Sequence, residues 1–288
     1  MSEPEVTVVL PAKNEALALR ELLPELSRVL PDAEIIVVDD GSTDDTPSVL
    51  ESLPIRAIRH SYSKGNGAAI KSGLRAATGE LVVCMDGDGQ HQPADVPRLL
   101  AALDQDIDMA VGARSADSQA SMWRRAANWI YNRFAGWVVG HRIPDLTSGM
   151  RAMRREKALE FLHLLPNGFS YPTTMTMAFF RAGYGVSYVP IAANKREGKS
   201  HISPLKDGIR FLLIIFKVGT LYSPLKIFFP ASFGFFLLGL GYYLFTFYTR
   251  GRFTNMGALL FLTSVIIFLV GLISEQVTSL MYQPSRRR

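Results

Sequence analysis

Short apolar runs alternate with segments of helical period along the first two thirds of the chain. "VTVVL" (6–10), short, β-branched and apolar, and "EIIVV" (34–38) predict buried strands, and "ELVVCMD" (80–86) and "VSYVP" (186–190) predict two further strands. "IRAI" (55–58), "IDMAVGAR" (107–114) and "GMRAMRR" (149–155) predict three more. Between the first two, Leu19, Leu22, Leu23, Leu26 and Leu30 recur at helical spacing, with Asn14 placed to cap the helix and Pro24 placed to kink or restart it. Thr43 with Asp44 or Asp45 can cap a short helix after the second strand, and "GNGAAIKSGLRAA" reads as a loop feeding a helix. Further helices are predicted over "ADVPRLLAAL", over 121–139, and over "YPTTMTMAFFRAG", closed by Gly183. Buried strands alternating with helices imply an α/β, doubly wound, mostly parallel sheet.

The last third differs. "SFGFFLLGLGYYLFTFYTR" (232–250) has no charge before Arg250, and "MGALLFLTSVIIFLVGLIS" (256–274) has none. As helices each would rise about 28 Å, against a bilayer core of about 30 Å. A buried core helix would need a protein shell that this chain cannot spare, so the pair predicts a transmembrane hairpin joined by "TRGRFTN". Lys206, Arg210, Lys217, Lys226 and the tail Arg286, Arg287 and Arg288 place its ends in the cytoplasm; Arg250 and Arg252 on the far side count weakly against this. The stretch 204–229 mixes apolar runs with spaced lysines and predicts amphipathic helix in the interface; a third span is the alternative, interrupted by Lys217 and Pro224. The expected organisation is a cytoplasmic α/β domain (1–205), juxtamembrane helices (206–230), two transmembrane helices (231–280) and a basic tail (281–288) at the inner membrane. Gly234, Gly239 and Gly241 leave a homo-oligomer open.

Composition sharpens this picture. Of 288 residues 48% are hydrophobic, and the net charge is +5, with the basic residues gathered beside the greasy segments. That placement points to membrane surface and phosphate rather than nucleic acid. The single cysteine, Cys84, excludes an internal disulfide and a cysteine-based zinc site, and its apolar run predicts a small core residue. The start "MSEPEVTVVLPAKNE" has no signal-peptide pattern.

In a parallel sheet ligands sit beyond the carboxyl ends of the strands. "DD" (39–40) and "DGD" (86–88) both follow strands, so both acid pairs should emerge on one edge. Two carboxylates two residues apart on a glycine turn suit Mg²⁺ or Mn²⁺, which keep waters and substrate phosphates in their shell. The bland alternative is an acidic turn, with His91 a surface residue capping the next segment.

"VVLPAKNE", "IIVVDDGSTDDT", "KGNGAAIKSGLRAATGE" and "MDGDGQHQP" together resemble family 2 glycosyltransferases of the GT-A fold, and within them the dolichol-phosphate mannose synthase-like, bacterial polyprenyl-phosphate branch. The resemblance covers roughly 6–205 and implies an enzyme that transfers one sugar from a UDP- or GDP-linked donor to a polyprenyl phosphate, with inversion. It implies that Pro11, Asn14 and Glu15 line the nucleotide pocket, that Asp40 beside Asp39 bonds the base, and that Lys64 lies near the nucleotide. Asp86 and Asp88 become the metal pair with Gln90 a further ligand; Gly87 stands where the branch more often has alanine. Arg114 would face the acceptor phosphate, Asp145 lie near the sugar, and Arg196, Lys199 and Ser200 close over phosphates. Read alone, Asp145 is equally a cap or turn residue, and the bland alternative for Arg196 and Lys199 is a solvated loop or a basic collar at the membrane surface. A processive polysaccharide synthase is the alternative enzyme, although its Gln-x-x-Arg-Trp segment is missing. A membrane-tethered nucleotide-sugar binding module is the non-enzyme alternative.

Overall fold

A computed structural model describes residues 4–114, 122–168, 171–192, 216–217 and 219–281, the side chains of 122–128 excepted. It has two compact units, Met1–Gly136 with His141–Ser203, and Trp137–Gly140 with Pro204–Arg288.

The first unit holds a seven-stranded sheet. Its strands are β1 (Val6–Ala12), β2 (Glu34–Asp39), β3 (Arg56–Arg59), β4 (Leu81–Cys84), β5 (Met109–Arg114), β6 (Arg151–Arg154) and β7 (Val186–Ile191), in the order β3-β2-β1-β4-β6-β5-β7. All pairings are parallel except those of β6, which runs antiparallel to both β4 and β5. Two reversals leave β5 parallel to β4. The carboxyl ends of β1, β2, β4 and β5 therefore share one edge with the residues that lead into β6. The sheet is mostly parallel, as its apolar strands predict, with the reversed β6 as its one exception.

Helices α1 (Ala16–Val29), α2 (Thr46–Glu51), α3 (Asn66–Ala76), α4 (Val96–Ala101), α5 (Met122–Val139), α6 (Arg155–Glu160) and α7 (Tyr171–Arg181) connect the strands, and a 3₁₀ turn (Pro93–Asp95) precedes α4. Leu19, Leu22, Leu23 and Leu26 are buried, as their spacing predicts. Pro24 does not break α1. It lies on the exposed face, as does Arg20, whose carbonyl loses its helical donor to the proline and can meet water instead. Asn14 is not the cap: it sits at φ 57°, and its Oδ1 accepts from Thr43 N at 2.8 Å. Asp44 takes that work for two helices, accepting from Ala16 N (3.3 Å) and Thr46 N (3.0 Å). The glycines of "KGNG" dock α3 onto another loop: Gly67 N donates to Gly168 O (3.2 Å), Ala68 N to Asn167 O (3.0 Å), and a β-carbon on Gly67 would lie 2.1 Å from Pro166 O. Cys84 is fully buried, and burial pushes its thiol up to about 12.

The second unit is built on two long helices, α8 (Pro224–Arg250) and α9 (Asn255–Met281), turned at Gly251 with φ 63°. Both are long and apolar enough to cross a membrane. α8 begins at Pro224 and runs through Pro230, so 224–230, expected in the juxtamembrane stretch, is continuous with the first long helix. The preceding residues 216–217 and 219–222 are helical, and 206–215 and the tail 282–288 lie outside the described residues. The helices pack on small residues at seven-residue intervals: Ser232, Gly239 and Thr246 on α8, and Gly257, Ser264, Gly271 and Thr278 on α9. Small side chains let backbones approach closely, and a strict heptad favours a left-handed supercoil. Ser232 and Ser264 each donate a hydroxyl to the other's carbonyl at 2.9 Å. Glu275 Oε2 accepts from Leu225 N (3.2 Å), satisfying a donor at the start of α8. Gly239 is used inside the hairpin; Gly234 and Gly241 have open space where a β-carbon would be.

Candidate active site

The acid pair of β2 divides its work. Asp40 is buried and all four of its acceptor positions are filled: His60 Nδ1 (2.7 Å) and Lys64 N (2.8 Å) on one oxygen, Ser63 Oγ (2.7 Å) and Gly65 N (2.8 Å) on the other. Burial raises its proton affinity, but these hydrogen bonds outweigh it and hold the carboxyl below its ordinary value. The residue expected to meet the base is thus the anchor of the 60–65 loop. Asp39 accepts from Ser42 N (2.8 Å), while its other oxygen makes no hydrogen bond and lies 3.4 Å from Arg59 Nε. Glu15 N donates to Thr46 Oγ1 (3.0 Å) and Asn14 N to Ser42 Oγ (2.9 Å), which fixes the β1 end against the β2 end. Lys64 reaches over the exposed ring of Tyr62.

The turn after β4 carries the second pair. Gly87 N donates to Pro11 O (3.3 Å), and an alanine there would press its β-carbon to 3.0 Å from the same oxygen. Gln90 donates to Asp88 through its backbone (3.2 Å) and side-chain amide (2.8 Å). Among the described residues, none donates a hydrogen bond to Asp86 or forms an ion pair with it, and the residue is half-buried. Its carboxylate fills the space over Gly149, where a β-carbon would lie 2.1 Å from Oδ2. Among the described residues no three His, Cys, Asp or Glu side chains converge as a metal cage. A carboxylate with no hydrogen-bond donor among the described residues, a second held by a neighbouring amide, and no closed cage fit an oxygen-seeking divalent cation that also needs substrate phosphate.

Opposite stands an ion pair. Arg114, the last residue of β5, donates to Asp145 through Nε (2.8 Å) and Nη2 (3.0 Å), and to Thr147 Oγ1 (2.7 Å). Burial disfavours both charges, yet the fork raises the proton affinity of Arg114 and lowers that of Asp145. Asp145 also accepts from Thr147 N (3.1 Å), so it is a fully engaged anion rather than an idle base.

Three residues escape the sequence reading. His91, expected at the surface, is buried, with Nδ1 unpartnered; burial lowers its proton affinity against the pull of Asp86 and Asp88. Gly149 abuts Asp86. Arg151 is fully buried at the start of β6, bonded to Pro172 O (2.8 Å), Thr176 Oγ1 (3.2 Å) and Ser148 O. Gly149 and Arg151 meet partners remote in the chain, Asp86 for the first and Pro172 and Thr176 for the second, which no local pattern reveals. Arg196, Lys199 and Ser200 lie outside the described residues.

Residues 7–162 match the model of glycosyl transferase family 2, and 223–280 match that of the GtrB C-terminal hairpin. Glycosyltransferase AglJ of Haloferax volcanii is 28% identical over 98% of this chain and 96% of its own. The polyprenol monophosphomannose synthase of Mycolicibacterium smegmatis is 33% identical over 66% of this chain and 77% of its own. Among solved structures, glucosyl-3-phosphoglycerate synthase from Mycobacterium tuberculosis with Mn²⁺ and UDP-glucose shares the fold, with TM-score 0.58 and 21% identity over 73% of this chain and 76% of that one. The acid turn, its strand-end setting and the hairpin agree with these matches: the chain belongs to glycosyl transferase family 2 and carries that family's fold on a membrane-associated hairpin.

Proposed function

We propose that this enzyme transfers one sugar from a nucleotide-sugar donor to a membrane polyprenyl phosphate, inverting the anomeric centre and releasing the nucleoside diphosphate. The observation that carries the reading is the Asp86 carboxylate, over Gly149 and on the same sheet edge as the Arg114–Asp145 fork, in a chain with two helices long and apolar enough to cross a membrane. The relatives named for polyprenol and dolichyl phosphates support the acceptor class.

Asp86, Asp88 and Gln90 would hold Mg²⁺ or Mn²⁺, which when bound stabilises negative charge on the departing diphosphate. Pro11, Asn14, Glu15 and Asp39 line the nucleotide side; Asp40 shapes it from behind by fixing the loop that carries Lys64. Arg114, aimed by Asp145, presents its cation to the acceptor phosphate. Arg196, Lys199 and Ser200 are assigned to the phosphates by resemblance. A phosphate monoester has a second pKa of about 6 and is largely dianionic at neutral pH. It needs no strong base, which agrees with the engaged state of Asp145. The catalytic unit and the tail are placed in the cytoplasm, where nucleotide sugars are made.

The test is transfer of radiolabelled sugar from UDP- and GDP-linked donors into polyprenyl phosphate by the purified full-length protein. Asp88→Asn should lower turnover by about 10²–10³-fold while leaving the melting temperature without ligand close to that of wild type. Lipid-linked product that is indifferent to Asp88→Asn, or none from folded enzyme with any donor, would overturn the reading.

A further inference from the structure

Arg151 is a buried cation that packing alone does not explain. It is fully buried within the sheet, opposite Cys84 of β4 on one side and Val111 of β5 on the other. Arginine is charged in any protein setting, and a buried charge is costly unless an opposite charge meets it. Its hydrogen bonds go only to neutral acceptors: Pro172 O (2.8 Å), Thr176 Oγ1 (3.2 Å) and Ser148 O. Its Nε makes none, and no ion pair among the described residues includes it.

The sheet register directs this charge to the acid edge. Opposed residues of paired strands share a face, and so do alternate residues along each strand. Val82 and Cys84 therefore share a face with Met153 and Arg151, and two more residues in the same register set Asp86 opposite Gly149. The 2.1 Å approach of a Gly149 β-carbon to Asp86 Oδ2 agrees with that register. Asp86 and Arg151 are then diagonal neighbours, with backbones about 7–8 Å apart, within reach of a long side chain. Gly149, having no side chain, leaves the space between them to the Asp86 carboxylate. Tyr171 closes the arrangement: its ring centroid lies 5.6 Å from the guanidinium carbon, and its hydroxyl donates to Gly149 O (3.2 Å). Burial raises the proton affinity of that phenol first, Asp86 adds to the rise and Arg151 opposes it, so both charges reach one ring.

We infer that Arg151 is the fixed counter-charge of Asp86, a positioning residue that steadies the carboxylate without occupying its oxygens. It thereby weakens the grip of the acid pair on a bare divalent cation, which is kept only together with a diphosphate. A cation held on those terms leaves with the product and resets the site. The cation's part rests on the proposed function; the charge pairing does not.

Full-length protein is titrated with Mn²⁺, alone and with UDP or GDP, and free Mn²⁺ is read by electron paramagnetic resonance. Arg151→Gln removes the charge and keeps an amide donor, whereas Arg151→Lys keeps the charge with fewer hydrogen bonds. Arg151→Gln should bind Mn²⁺ alone at least about tenfold more tightly than wild type, the scale of one charge acting through protein at this range. Arg151→Lys should stay close to wild type. A staple that only holds α7 would move both variants alike or neither, and that result overturns the inference. Asp86→Asn tests the pairing with Arg151 intact. Neutralising one acid of a crowded pair ordinarily stabilises a ligand-free protein by relieving repulsion. Here it should lower the melting temperature by about 2–4 °C, because the buried cation loses its counter-charge. An unchanged or raised melting temperature overturns the inference even where neither Arg151 variant folds. No Mn²⁺ uptake by wild type with either nucleotide would overturn the metal reading, while a fall in the Asp86→Asn melting temperature would still uphold the pairing.

Discussion

A β-carbon on Gly149 would sit 2.1 Å from Asp86 Oδ2, so alanine there forces the carboxylate to move. Gly149→Ala should therefore abolish the thermal stabilisation given by nucleoside diphosphate with Mn²⁺ and leave the melting temperature of the ligand-free protein within a few degrees, as scanning fluorimetry would show. Retained stabilisation would mean that Asp86 is not held at that place. Asp40 makes a different prediction, about acid. Its folded-state proton affinity is lowered, so the unfolded chain binds its proton more readily. The stability it contributes is present above the ordinary aspartate value of 3.8 and is lost as pH falls through the lower folded value. Asp40→Asn should cost about 2–3 kcal/mol at neutral pH and flatten the acid limb of stability against pH; an unchanged limb would remove Asp40 from the account. The acids themselves are legible in the sequence because a turn after a buried strand has few other reasons to be so charged. Their division of work is not: whether Asp40 faces a ligand or a loop depends on residues 60–65, twenty positions away and without a periodic signal.

At the scale of elements, periodicity locates nearly every strand and helix, and fails where partners decide. β6 is readable as a strand, but nothing in "GMRAMRR" says that it enters antiparallel. That reversal is what brings Asp145 and Gly149 to the acid edge. The glycines of "KGNG" announce a loop, while their use, docking α3 on 166–168, requires knowing what lies opposite. In the hairpin, hydropathy finds the apolar cores of both spans but not their ends, because α8 already starts at Pro224 and α9 continues to Met281. The heptad of small residues is present in the sequence and is intelligible only once the two helices face each other. It can be tested by size. A β-carbon at Gly271 would lie 2.5 Å from Phe228 Cβ, whereas one at Gly234 meets nothing within 4 Å. Gly271→Leu should destabilise the hairpin by about 1–3 kcal/mol as an overpacked contact, and Gly234→Leu should be close to neutral. Thermal unfolding of the full-length protein in detergent would read the difference, and equal effects would mean that the helices do not pack on this stripe.

For the whole molecule, the proposed reaction predicts a sidedness that charge also favours. With the proposed donor, made in the cytoplasm, the Asp86 edge is predicted to face that compartment. A hairpin that crosses twice predicts the tail on that side too, with Arg286, Arg287 and Arg288. Lys226 and the tail outnumber Arg250 and Arg252 at the turn, which is the asymmetry that insertion follows. The chain is well suited to a direct test, because its one cysteine is fully buried with a thiol pushed up to about 12. Thiolate is the reactive form, so the native protein should be nearly silent to maleimide. Thr254→Cys, at the turn between α8 and α9, should be labelled in intact cells by a membrane-impermeant maleimide. Ser285→Cys, in the tail, should be labelled only after the membrane is permeabilised. The reverse pattern would put the catalytic unit on the outer surface, away from cytoplasmic donors, and would require a lipid-linked donor in place of a nucleotide sugar.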